Sequence, residues 1–244
     1  MRLKSALRRG VAAAVIAGIV VSSGIPAYAI RWDIADGDIT VKAGDEGTNR
    51  VTQGKKENVE DTDTVITGKS KEHTVTIDTS KGKVDVTFDD LKIDVSGKAE
   101  GDVSGKTEVD GSDDSPVDAG KAAVTVQGDH DATIELDGKN ELKSGSKNAG
   151  LEKNERESKG TLTIKDDNGK DGSLTAEGGD GGGAGIGGKH ESGAGNIEIT
   201  GGTIKAVGGE GAAGIGGGVY GTGRDIEICG GKVSATGGAA NENL

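Results

Sequence analysis

Short-range clusters of aspartate are the residues of this chain best suited to chemistry, and the chemistry is calcium binding. Calcium takes about six to eight oxygens, commonly carboxylates gathered on turns. Asp110, Asp113 and Asp114 form one cluster; Asp166, Asp167 and Asp171, with Asn168 beside them, form another. Asp85, Asp89, Asp90 and Asp94 make a third set along an alternating stretch, where carboxylates could stack on one face. None of these follows the EF-hand spacing, and the glycines around Asp180 lack the second aspartate of the calcium-binding nonapeptide. A solvated acidic corner is the plainer reading of each. Calcium stands as the candidate cofactor, through Asp110, Asp113, Asp114, Asp166, Asp167 and Asp171.

The other reactive types are thinly spread. Aromatic rings that could stack on sugar faces number three downstream of residue 29: Trp32, Phe88 and Tyr220. Phe88 continues the alternation of Val84 and Val86 and belongs in a core, Trp32 fits an N-terminal cap, and Tyr220, within a glycine-rich loop, is the candidate carbohydrate contact. Arginines are few, and Arg156, in the charged loop Glu152–Glu157, reads as solvated. Histidines 73, 130 and 190 have no metal-ligand spacing, and Cys229 has no cysteine to pair with and no evident histidine partner. Gly181-Gly182-Gly183-Ala184-Gly185 has no Lys-Ser/Thr after it and no helix to follow, so it is no phosphate loop. No catalytic constellation emerges, and the expected chain is not an enzyme.

The elements that carry these residues are set by a repeat of 29 residues: Ile197 recurs as Ile226, Ile204 as Val233 and Ile186 as Ile215. A fixed period of this size signals a solenoid of stacked coils. Within one unit Ile197 and Ile199 flank Glu198, and Ile204 and Ala206 flank Lys205. Alternation at period two means strands with one buried face, and the Gly-Gly pairs between them are turn chemistry. Each unit therefore reads as three short strands with tight corners, in an all-β, right-handed parallel β-helix. Looser copies run back through Leu162, Ile164 and Leu174, then Ile134, Leu136 and Leu142, then Val84 to Val95. Roughly seven or eight coils at this period would fill the chain.

Residues 1–29 read as a secretory signal: Arg2, Lys4, Arg8 and Arg9, an apolar stretch from Val11 to Val21, and Ala27-Tyr28-Ala29 as cleavage site. The expected location is outside the cell or on its surface, with no membrane insertion after cleavage. Residues 30–244 form one domain: capping strands and irregular coils over 30–95, an irregular acidic loop over 97–120, and glycine-rich repeats over 121–244. The last coil lacks a copy of Ala-Gly-Ile-Gly-Gly, which suggests either truncation or end-to-end self-association. Losing four basic residues with the signal takes the net charge from −12 to −16, which argues against a nucleic-acid partner. With only 32% apolar residues and 46 glycines a compact globule would not fold, whereas a thin solenoid core can.

The block Ile-x-Ile-x-Gly-Gly-Thr-Ile-x-Ala-x-Gly-Gly from Ile197, followed by Ala213-Gly214-Ile215-Gly216-Gly217, resembles repeats of the secreted bacterial carbohydrate-binding β-helix family. Trp32 to Val41, Val84 to Val95 and Asp113 to Val117 fit the same likeness. The resemblance implies a topology like that of pectate lyases and non-catalytic, calcium-assisted binding of polysaccharide or cell-wall glycan. A structural surface stalk and a pectate-lyase-like enzyme are the alternatives.

Overall fold

The structure, a computed structural model, describes residues 30–45, 47–97, 120–169 and 171–240. The chain makes repeated passes that lay strands into shared rows. The first pass runs through β1 (Arg31–Asp33), a 3-10 turn (Ile34–Asp36), β2 (Ile39–Ala43), β3 (Asn49–Gln53), β4 (Lys56–Asp61) and β5 (Val65–Ser70). The second has β6 (Val75–Asp78) and the long β7 (Val84–Asp94). The third has β8 (Val124–Gln127), β9 (Ala132–Asp137) and β10 (Lys139–Lys143). The fourth has β11 (Leu151–Glu152), β12 (Leu162–Lys165) and β13 (Ser173–Glu177). The fifth has β14 (Ile186–Gly187), β15 (Ala194–Ile199) and β16 (Thr203–Val207), and the sixth β17 (Ile215–Gly216), β18 (Gly223–Ile228) and β19 (Lys232–Thr236).

Three rows of parallel strands result. β2, β6, β8, β11, β14 and β17 make the first. The first half of β7 leads the second, through β9, β12, β15 and β18, and its second half leads the third, through β10, β13, β16 and β19. β5 pairs with both halves of β7, and β1 pairs with β5. The fold is all-β with parallel strands throughout, apart from the hairpin β3–β4, which joins β2 antiparallel.

Alternation explains the core. Ile39, Val75, Val124, Leu151, Ile186 and Ile215 stand in register along the first row. Ile134, Ile164, Ile199 and Ile228 do so along the second, and Trp32, Ile66, Phe88 and Leu136 along β1, β5, β7 and β9. All but Ile215 and Ile228 are buried. The pairs expected from the repeat, Ile197 with Ile226, Ile204 with Val233 and Ile186 with Ile215, are in register.

Two expectations change. The described passes number six rather than seven or eight, because several are longer than the repeat: Val75 pairs with Val124, 49 residues on. The N-terminal stretch does not simply cap: β2 joins the first row, and the edge falls to β3 and β4. Lys56, Glu57 and Glu60 on β4 put charge along that edge, which discourages further pairing. Of the acidic loop 97–120, residues 98–119 lie outside the described residues, and Asp110, Asp113 and Asp114 with them. Among the described residues no helix is long and apolar enough to cross a membrane.

The bend between the second and third rows needs one residue in the left-handed region on each pass from the second to the sixth: Asp90 (φ 53°), Gly138 (61°), Asp171 (54°), Gly202 (82°) and Gly231 (77°). A buried amide secures it in the middle of the stack. Asn140 accepts from the Leu91 N–H at 2.9 Å and donates to the carbonyls of Asp137 (3.0 Å) and Ser173 (3.1 Å), so it ties three successive passes together.

Candidate functional site

Outward-facing positions of the third row carry charge, because their partners inside the strand alternation carry the core. Lys69 stands opposite Lys92, which stands opposite Glu141; one step along, Asp94 stands opposite Lys143, which stands opposite Glu177. β5 crosses the bend at Gly68 (φ 90°) with one residue fewer than β7 takes through Asp90, so the register shifts there. A side chain at Gly68 would strike the Asp33 carboxylate, its Cβ falling 1.9 Å from an oxygen. After β5 the Ser70 hydroxyl accepts from the N–H groups of Glu72 (3.1 Å) and His73 (2.9 Å) and turns the chain away. The strand face is left open as a groove of about 260 Å³, lined by Lys69, Lys71, Lys92, Lys143, Asp94 and Glu141, while Ile93 between Lys92 and Asp94 points into the core.

Part of this charge is spoken for. Lys92 pairs with Glu141, and Lys143 with Glu177 at 2.9 Å. The hydrogen bond from Lys92 holds the Glu141 carboxyl below its usual range, and the bond to Glu177 raises Lys143. The Ser96 hydroxyl does most to lower Asp94. Lys69 and Lys71 make no ion pair among the described residues. The groove thus holds a like-charged pair in register, Lys69 and Lys92, an arrangement that disfavours the sheet by itself. Sequence patterns alone do not reveal this site, because its residues come from three different passes.

The acidic corner at Asp166, Asp167 and Asp171 lies between β12 and β13. Asp167 pairs with Lys165 at 2.8 Å, and Lys165 also reaches Glu135 at 3.2 Å. Asp166 accepts from the Gly172 N–H at 3.0 Å through one oxygen, while its other oxygen is buried with no hydrogen-bond partner among the described residues. Asp171 supplies the left-handed residue of the bend and bridges to Asp137. Among the described residues no three acidic, histidine or cysteine side chains assemble as metal ligands. The third aspartate set is spread out: Asp85 pairs with Lys83, Asp89 with Arg31, Asp90 accepts from the Lys139 N–H, and Asp94 from Ser96.

Tyr220 is 71% exposed, with His190 against it edge-on at 6.0 Å between ring centroids. No other aromatic ring joins them among the described residues. Trp32 and Phe88 are in the core, and the Trp32 indole donates to Asp61 at 2.8 Å.

In the run Glu152–Glu157 Arg156 is exposed, as expected, but the run begins buried. Glu152, Lys153 and Asn154 are buried, and exposure begins beyond them. Burial raises the Glu152 carboxyl. Asn154 donates to Glu152 (2.8 Å) and Glu157 (3.0 Å), and its carbonyl oxygen accepts from the Lys189 N–H. The Lys153 ammonium donates to the carbonyls of Ser158 (3.1 Å) and Gly195 (2.9 Å), and burial brings it down to about 8.

Compared with family models, curated proteins and solved structures, the chain matches none significantly.

Proposed function

We propose that the chain is a non-catalytic carbohydrate-binding protein of the cell exterior, built as a right-handed parallel β-helix. The observation that carries this reading is the open groove on the third row. It offers ammonium, carboxylate and hydroxyl groups beside the aliphatic stems of its lysines, the mixture of polar and apolar surface that a sugar ring requires. The resemblance of the Ile197 repeat to carbohydrate-binding β-helix proteins points the same way, and the signal-like residues 1–29 support export. Parallel crossover connections favour the right hand. The glycan is expected to be polysaccharide or cell-wall material, with calcium assisting in one form of the reading.

A pull-down of the protein on insoluble cellulose, pectate and cell-wall material, with calcium and with chelator, tests it. Saturable binding to at least one is expected. No binding to any, by protein with β-structure in its circular dichroism, overturns the reading for those glycans. The stalk alternative then gains. Unsaturated sugar in the supernatant would reveal a lyase instead.

A further inference from the structure

We infer that the groove between β5, β7 and β10 holds the anionic groups of an acidic glycan by direct contact with lysine, with no bridging cation. This rests on the carbohydrate reading and names the site and ligand class within it. The chain as a whole carries a net charge of −12 and repels polyanions, so any binding must occur where cations concentrate. Four of the groove's lining residues are lysines, against two carboxylates. Those two are engaged: Glu141 with Lys92, and Asp94 with the Ser96 N–H at 3.2 Å and, through its in-register position, beside Lys143.

Lys69 and Lys71 are left without an ion-pair partner among the described residues, and both are exposed. Lys69 faces Lys92 across one strand spacing, about 4.8 Å. Glu141, paired with Lys92, offsets part of that repulsion, and an anionic group of a ligand beside Lys69 and Lys71 would offset more. The aliphatic stems of the groove's lysines supply apolar surface against which a ring face would rest. Ammonium groups act as point charges, so uronate carboxylates and sulfate esters are both accommodated.

The full chain, in chelator, would be titrated with polygalacturonate, dextran sulfate and neutral dextran at about 0.05 M and about 0.5 M salt. Binding to at least one anionic polymer, weakened by salt and absent with neutral dextran, is expected; which polymer binds more tightly tells the two sources apart. The double variant Lys69→Gln/Lys71→Gln should weaken it about two- to thirty-fold, the sum of two exposed ion pairs. Lys205→Gln/Lys232→Gln, on the same row outside the groove, should change it less than about twofold, the expectation for charges that contact no ligand. All four lysines are exposed, so folding is not at stake. Equal effects of the two double variants, or anion binding that appears only with calcium, overturn the inference. Binding to cellulose that the groove variant leaves unchanged overturns it while the carbohydrate reading stands. Binding to no glycan removes both.

Discussion

Lys153 occupies the inward position after Leu151, the place that Val126 and Ile77 hold in earlier passes. It is 0% exposed and no carboxylate pairs with it among the described residues; two backbone carbonyls solvate its ammonium. Burial disfavours the charge, so its folded value, about 8, lies below the ordinary 10.5. Between those values the unfolded chain binds the proton and the folded one does not. Stability contributed by this residue therefore rises with pH across that window, by at most about 1.4 kcal/mol per unit. Urea midpoints measured from pH 8 to 10 should climb for the parent and lose that climb in Lys153→Met. The same slope in both would mean that the ammonium is solvated in the native state. Above that range Lys143 and Lys165, both raised by their acidic partners, begin to lose stability as they deprotonate. Glu152, on the neighbouring position, has the opposite sense: its raised value means stability declines as pH climbs through the carboxylate range.

At the scale of the strands, the bend between second and third rows is the recurring device. Where it uses glycine the left-handed backbone costs little; at Asp90 and Asp171 a residue with a side chain bears it, at about 1 kcal/mol each. Asp171→Gly should accordingly hold or raise stability by up to about 1 kcal/mol in thermal melts without added metal. A clear loss would show that the carboxylate does work at the corner beyond the turn, and a loss of calcium-dependent stabilisation in the same variant would assign that work to a cation.

For the whole molecule, stability comes from ladders that each pass both receives and supplies. Ile164 is sandwiched between Ile134 and Ile199, whereas Ile228 ends the same ladder. Ile164→Ala should cost about 2–5 kcal/mol in chemical denaturation, the range for a closed aliphatic core. Ile228→Ala should cost less than about 0.5 kcal/mol for a free monomer. A larger loss at Ile228 that grows with protein concentration would show that the open sixth pass associates with another copy.

The period of 29 residues suffices to align Ile197 with Ile226 and Ile186 with Ile215, because alternation and turn glycines act locally. The burial of Phe88 and the exposure of Tyr220 follow from the same local pattern. The groove does not: Lys69, Lys92 and Glu141 are separated by intervals unrelated to the repeat, and only the strand pairing of irregular passes places them side by side. Nor does the burial of Lys153, which lies within a charged run and whose ammonium is held by the carbonyls of Ser158, in the same connection, and Gly195, on β15 of the next pass. Residue order along a strand determines which of its faces is apolar; which charges meet across strands depends on how much chain each pass consumes, and that is decided only when the passes stack.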